Sequence, residues 1–295
     1  MKSTIDHVIF IVKDLSRSVE NYKILLGRNP SWRGSHPAFK TQNALFRLDN
    51  TYIELLAEDN KNDGDAENGS TFVSEYLVRK GPGLAGLSFG TTNAANLVTH
   101  MQKHGIDALG PMKGDGKDIL SGAVRNWLNV FWPNIASRGL WTFGIEHIDP
   151  IDTLPLATPD TSAIMVTNDT IINAVDHIVI NTKDLAAAKN FYGDVLGIRL
   201  ALELPDHPLG KLMFFKANKM VLEFIHSNNY DKEEDEFWGI AYKTNNVEAT
   251  RERLTDTGVK VSEIRNGMKP GTRVCTVKSH NLDVPTLLIE PNKSK

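Results

Sequence analysis

The 295-residue chain has one cysteine, Cys275, so an internal disulfide is excluded, and the Cys partners of a structural zinc site are missing. Packing is the expected role of that thiol. Long apolar runs are also missing. Nothing approaches the roughly 20 residues of a spanning helix, and MKSTIDHV runs into strand-like sequence without the apolar core of a signal segment. A cytoplasmic location is the expectation. The chain lacks an excess of either charge: 33 basic against 36 acidic side chains leave a net charge of −3. That is too little to build the basic field that nucleic acid or an anionic membrane surface would require, so neither is expected as a partner.

What the chain does contain is the same phrase twice. IDHVIFIVKDLSRSVENYKILLGR, residues 5–28, and VDHIVINTKDLAAAKNFYGDVLGI, residues 175–198, place His7 over His177, Asp14 over Asp184, Leu15 over Leu185 and Gly27 over Gly197, each with an offset of 170. Gapless matching of this kind marks an internal duplication. The β-branched runs HVIFIVK and HIVINTK are too short for core helices and read as buried strands. A helix follows each, with Asp14 or Asp184 as N-cap, apolar Leu15, Val19, Tyr22 and Leu26 on one face, and Gly27 or Gly197 in the left-handed position past its end. Two or three further strands complete a βαβββ unit.

A weaker repeat relates residues 83–108 to 236–261, with Gly86 over Gly239, Asn93 over Asn246 and Gly105 over Gly258. The chain is therefore α+β, with four βαβββ modules in two pairs. We place modules 1 and 2 in residues 1–150 and modules 3 and 4 in 171–295. The proline-bearing stretch 151–170 reads as the linker between them. Acidic runs at 57–70 and 228–236 read as solvated joints inside each pair.

On the first strand and helix of each pair, these paired modules resemble the vicinal oxygen chelate superfamily of glyoxalases, bleomycin-resistance proteins and extradiol dioxygenases. In the first half, HPAFKTQNALFRLDNTYIELLA, AVRNW and TFGIEH resemble the glyoxalase-like domain family more narrowly. The resemblance implies that each pair curls into a cupped half-barrel, with metal ligands projecting inward from first and last strands. Members that bind metal usually take a second histidine from the first strand of the partner unit, where this chain has Gly86 and Gly239.

On strand periodicity, His7 faces away from Asp6 and Val8, and Glu54 shares a face with Tyr52 and Leu56. A buried imidazole and carboxylate cost several kcal/mol unless paired or metal-bound. The candidate metal ligands are His7, Glu54 and Glu146, with second-half equivalents His177, Glu223 and Glu290, for zinc, manganese, iron or nickel. With two histidines replaced by glycine, His36 or His147, and His207 or His226, would have to move in. The competing account is a strand histidine satisfied by a neighbouring carboxylate or carbonyl, without metal.

Glu146 and His36 are the candidate catalytic residues. Asn43, Trp127 and Arg125 are the candidate substrate contacts, Arg125 as a partner for a carboxylate or phenolate. Two functions compete. One is a glyoxalase-like small-molecule enzyme of lyase or isomerase type, with or without a divalent metal, acting on a substrate with vicinal oxygens. The other is metal-free sequestration of a small molecule, as in the bleomycin-resistance branch. A homodimer is compatible with either.

Overall fold

The computed structural model describes residues 3–36, 39–59, 71–119, 121–163 and 165–292. Strand β1 (Thr4–Ile11) leads into helix α1 (Leu15–Leu26), as the apolar spacing predicts. Asp14 accepts from Arg17 N, and Gly27 stops the helix at φ 68°, a backbone state that favours glycine. Strands β2 (Trp32–His36), β3 (Thr41–Arg47) and β4 (Tyr52–Glu58) complete the first module. The acidic run at 57–70 falls largely outside the described residues. After α2 (Phe72–Lys80) come β5 (Gly83–Gly90), α3 (Ala94–Lys103), β6 (Leu109–Asp118), β7 (Val124–Phe131) and β8 (Trp141–His147). The second half repeats the plan with β9 (Ile172–Asn181), α4 (Leu185–Ala188, continuing as a π-helical turn through Val195), β10 (Arg199–His207), β11 (Gly210–Ala217), β12 (Met220–His226), β13 (Glu236–Thr244), α5 (Val247–Asp256), β14 (Arg265–Asn266), β15 (Arg273–Val277) and β16 (Thr286–Glu290).

Modules 1 and 2 share one sheet. β1 and β5 run antiparallel at its centre, with β4 parallel to β1 and β8 parallel to β5. The expected half-barrel goes further in the first half and closes, in the order β1-β4-β3-β2-β6-β7-β8-β5. The seam is short: Gly34 pairs with Asp118 and Ser35 with Lys117. It depends on glycine, because a Cβ at Gly34 would lie 2.8 Å from Lys117 O and 2.3 Å from the Trp32 indole nitrogen. In the second half the strand opposite β10 is the two-residue β14, and the two do not pair, so that eight-stranded sheet stays open.

One continuous core joins the halves. Val19, Tyr22 and Leu25 of α1 belong to the same buried cluster as Tyr192, Phe224 and Tyr242 of the second half. Two buried arginines pin the junction through backbone carbonyls. Arg28 Nε donates to Ile172 O (2.7 Å), and Arg253 donates to Thr170 O (3.1 Å), Leu25 O (3.0 Å) and Ile24 O (2.5 Å). The acidic run at 228–236 is not wholly solvated, since Asp235 is buried and accepts from Arg138 Nε at 2.9 Å.

Candidate active site

Closure of the first sheet leaves a chamber of about 600 Å³ inside the barrel. Much of its wall is apolar, with a large aromatic share supplied by Trp32, Phe72, Trp127, Phe131, Trp141 and Phe143. Around this surface runs a belt of polar groups.

The belt begins with an irregularity. Ile5 pairs with Phe89 and His7 with Ser88, so Asp6 is an extra residue in β1, a β-bulge. Regular alternation would send Asp6 to the face opposite His7. The bulge instead brings its carboxylate onto the imidazole, with His7 Nδ1 donating to Asp6 Oδ1 at 2.7 Å. The second half repeats the device, because Asp176 is skipped between the pairs at Val175 and His177 and accepts from His177 Nδ1 at 2.8 Å.

From His7 the belt extends in both directions. His7 Nε2 lies 3.4 Å from Glu54 Oε2, and Glu54 Oε1 accepts from Asn43 Nδ2 at 2.7 Å. The same Asn43 nitrogen meets His36 Nε2 at 3.3 Å, and His36 Nδ1 meets Thr41 Oγ1 at 3.0 Å. On the other side Asp6 Oδ2 accepts from His147 Nε2 at 3.0 Å, and an Arg125 NH2 group donates to His147 Nδ1 at 3.4 Å. Arg125 also lies 5.9 Å above the Trp32 ring, within reach of a cation–π contact. His7 itself is stacked on Tyr52, with ring centroids 4.5 Å apart.

Donor and acceptor logic fixes most protons along the belt. An ionised Glu54 requires the amide nitrogen of Asn43 to face it, so that nitrogen also donates to His36 Nε2, and the His36 proton lies on Nδ1 toward Thr41. The environments push the two histidines in opposite directions. Burial alone would lower His7, but its hydrogen bonds to Asp6 and Glu54 outweigh that and carry it up to about 9. His36 has only neutral hydrogen-bond partners, and burial lowers it below its ordinary value. Glu54 is lowered: burial opposes ionisation, and the His7 contact prevails.

Several candidate residues converge here: His7, Glu54, His36, Asn43, Trp127 and Arg125 all line the chamber. Glu146 does not. On β8 it alternates with Ile145 and His147, which face inward, so its carboxylate points outward and accepts from Ala94 N at 2.7 Å. There it serves the orphan N–H groups at the start of α3. Glu290 does the same for Val247 N at 3.0 Å, at the start of α5. As ligand or catalytic group both are corrected to helix-capping residues. Sequence reading missed Asp6 and the chamber-lining Asn129 of β7, and offered His147 only as a donor that would have to move in toward a metal. Asp6 was hidden by the bulge, although its pairing with a histidine recurs at Asp176.

The second-half equivalents come together less completely. His177 Nε2 is 3.6 Å from Glu223 Oε2. By strand register Leu212 replaces Asn43 and Gly210 replaces Thr41, opposite His207. Without the amide donor, burial raises Glu223 above its ordinary value, the reverse of Glu54.

A divalent ion does not fit the donors of the first chamber as they stand. The pseudo-twofold would place further donors at Gly86 and, two residues beyond the β8 partner of Gly86, at Phe143. A side chain at Gly86 would strike the Trp141 indole, since a Cβ there lies 2.6 Å from its Cε3, and Phe143 packs edge-on against His7. Among the described residues no group of three or more His, Cys, Asp or Glu side chains is arranged to hold an ion. His7 and Glu54 remain as a pair bonded to each other, short of the three protein ligands usual in catalytic sites.

A family model described as a glyoxalase-like domain matches residues 5–168, more than half of the chain. The chain belongs to the glyoxalase-like domain family. Residues 174–281 match the glyoxalase/bleomycin resistance protein/dioxygenase superfamily. Among curated proteins none matches. Among solved structures, a mutant of 4-hydroxymandelate synthase from Streptomyces coelicolor is similar at 12% identity, covering 100% of this chain and 94% of that one, with a TM-score of 0.68. A hypothetical protein from Staphylococcus aureus (12% identity, 97% and 99% coverage, TM-score 0.65) and a Mn(II)-bound glyoxalase from Novosphingobium aromaticivorans (14%, 98% and 82%, TM-score 0.63) share the fold. At these identities the likeness concerns fold alone.

Proposed function

We propose that this glyoxalase-like protein is an isomerase or lyase acting on a small, largely apolar substrate with vicinal oxygens, and that its own side chains move the proton. The carrying observation is that one belt holds a histidine clamped between two carboxylates, His7, and a histidine bonded only to neutral groups, His36. Environments that separate two titratable groups in this way assign acid and base. His7 is the acid. Its Nε2 proton faces Glu54 across 3.4 Å, longer than the roughly 2.7–2.9 Å of a charge-assisted hydrogen bond, so a substrate oxygen can compete with that carboxylate for it. His36 is the base: its Nε2 lone pair, met only by the 3.3 Å Asn43 contact, accepts a proton from the carbon beside that oxygen. The electron pair of that C–H bond moves into an enediol-like intermediate stabilised by the His7 imidazolium. The proton returns to the former carbonyl carbon, whose oxygen keeps a proton from His7. The neighbouring hydroxyl becomes the new carbonyl and gives its proton back to His7, so the isomerisation needs no external oxidant or reductant. Asn43 and Glu54 keep the two rings in register.

The test is solvent exchange. Tag-free protein, with its metal content measured, is incubated in D2O with a panel of α-hydroxycarbonyl compounds, and deuterium entry beside the carbonyl is followed by NMR. Exchange that resists chelators and falls about 10²- to 10⁴-fold in His36→Gln is expected. Exchange abolished by chelators would overturn a proton transfer carried by side chains alone. Binding of panel members without exchange would leave sequestration as the function.

A further inference from the structure

The base and the acid leave the far end of the belt unexplained. Arg125 exposes only 4% of its surface, yet among the described residues its guanidinium makes one hydrogen bond, the 3.4 Å contact with His147. Its Nε is buried without a hydrogen-bond partner among the described residues. The protein's nearby carboxylates are committed elsewhere, Asp6 to His7 and His147, and Glu54 to His7 and Asn43. Since arginine only donates, His147 Nδ1 is the acceptor in that contact, and the ring stands between the guanidinium and Asp6. Leaving a buried guanidinium short of acceptors is costly, and the contact with the Trp32 ring supplies no acceptor for Nε. Its side chain opens onto the same chamber as His7 and His36.

We infer that Arg125 is the anchor for a substrate carboxylate, so the ligand of this chamber is a compact aromatic or apolar carboxylic acid. A planar carboxylate matches the fork of a guanidinium bidentately and supplies the acceptor that Nε lacks. The aromatic wall of Trp127, Phe131 and Phe143 takes the apolar body. With one unpaired cation at this end, a monoanion is favoured over a dianion. The inference rests on the chamber being the ligand site proposed above, and it deepens that reading by naming the substrate class.

Calorimetric titration of the full chain with phenylacetate and with its neutral isostere phenylacetamide tests it, because the readout is binding and needs no turnover. The expected result is at least tenfold tighter binding of the acid in the wild type. In Arg125→Met the preference should collapse, with amide affinity retained. Arg125→Lys, which keeps the charge and loses the fork, should restore part of it. A thermal melt of each variant checks folding, and amide binding reports an intact chamber. Equal affinity for acid and amide in the wild type would overturn the inference, as would a preference that survives Arg125→Met in a folded variant. Absence of binding by either probe would also count against it, since a chamber of this size admits both. Failure of the solvent-exchange experiment alongside an intact acid preference would sink the proposed chemistry and leave the anchor standing.

Discussion

At the scale of single residues, the belt makes stability depend on pH with a sign that can be worked out. His7 in the folded chain titrates at about 9 against an ordinary 6.5, so the stability it contributes is complete below about 6.5 and is lost as the pH rises through about 9. Glu54 is lowered from an ordinary 4.5, so its contribution is present above that value and is lost as the pH falls through its folded value. Asp6 is lowered too and behaves alike. Between roughly pH 4.5 and 6.5 all three contributions are therefore present together. Thermal melts should show the melting temperature declining on the alkaline side through about pH 9. His7→Gln should flatten that decline. An alkaline limb of unchanged steepness in the variant would mean that His7 is not held as an imidazolium. The same two histidines predict a bell-shaped rate profile, rising as His36 loses its proton and falling as His7 does.

Among secondary-structure elements, strand β5 and its neighbour β8 decide what the chamber can hold. The Trp141 indole covers Gly86, so restoring a histidine at that position is not enough to rebuild a metal site. Gly86→His alone should destabilise the protein, because the new Cβ displaces an aromatic wall. Combined with Trp141→Gly, it should yield a chain whose melting temperature rises on zinc addition, with His7 and Glu54 as the other ligands. A zinc response already present in the wild type would refute this view of the donor set. Much at this scale was legible in the sequence. Asp14 and Gly27 gave the limits of α1, and the 170-residue offset gave β9 and α4, whereas His7, Glu54, His36, Asn43 and Arg125 were legible as candidates and their convergence came only with the shared sheet of modules 1 and 2. What stayed hidden required pairing register. Alternation along β1 misplaces Asp6 because a bulge is defined only by the opposite strand, and Glu146 could be assigned to α3 only once β8 lay beside that helix. Closure was hidden too, since two residue pairs between β2 and β6 separate the barrel from the open sheet of the second half.

In the molecule as a whole, the second half is joined to the first through a shared core. Arg253, almost fully buried, is the most specific tie, serving carbonyls of Thr170, Ile24 and Leu25 from α5. Arg253→Ala strands those acceptors and opens space where side chains of both halves meet. A loss on the order of 3 kcal/mol is expected in urea unfolding, with a single transition if the halves unfold as one unit. Two separated transitions in the wild type would show that the continuous core does not make the halves cooperative. The belt has one further consequence. A guanidinium, an imidazolium and a neutral imidazole stand at different points around the chamber, and three unlike contacts tell a molecule from its mirror image. On the proposed anchoring, a centre of chirality held among Arg125, His7 and His36 would be read in one configuration, and enantioselective binding is therefore expected.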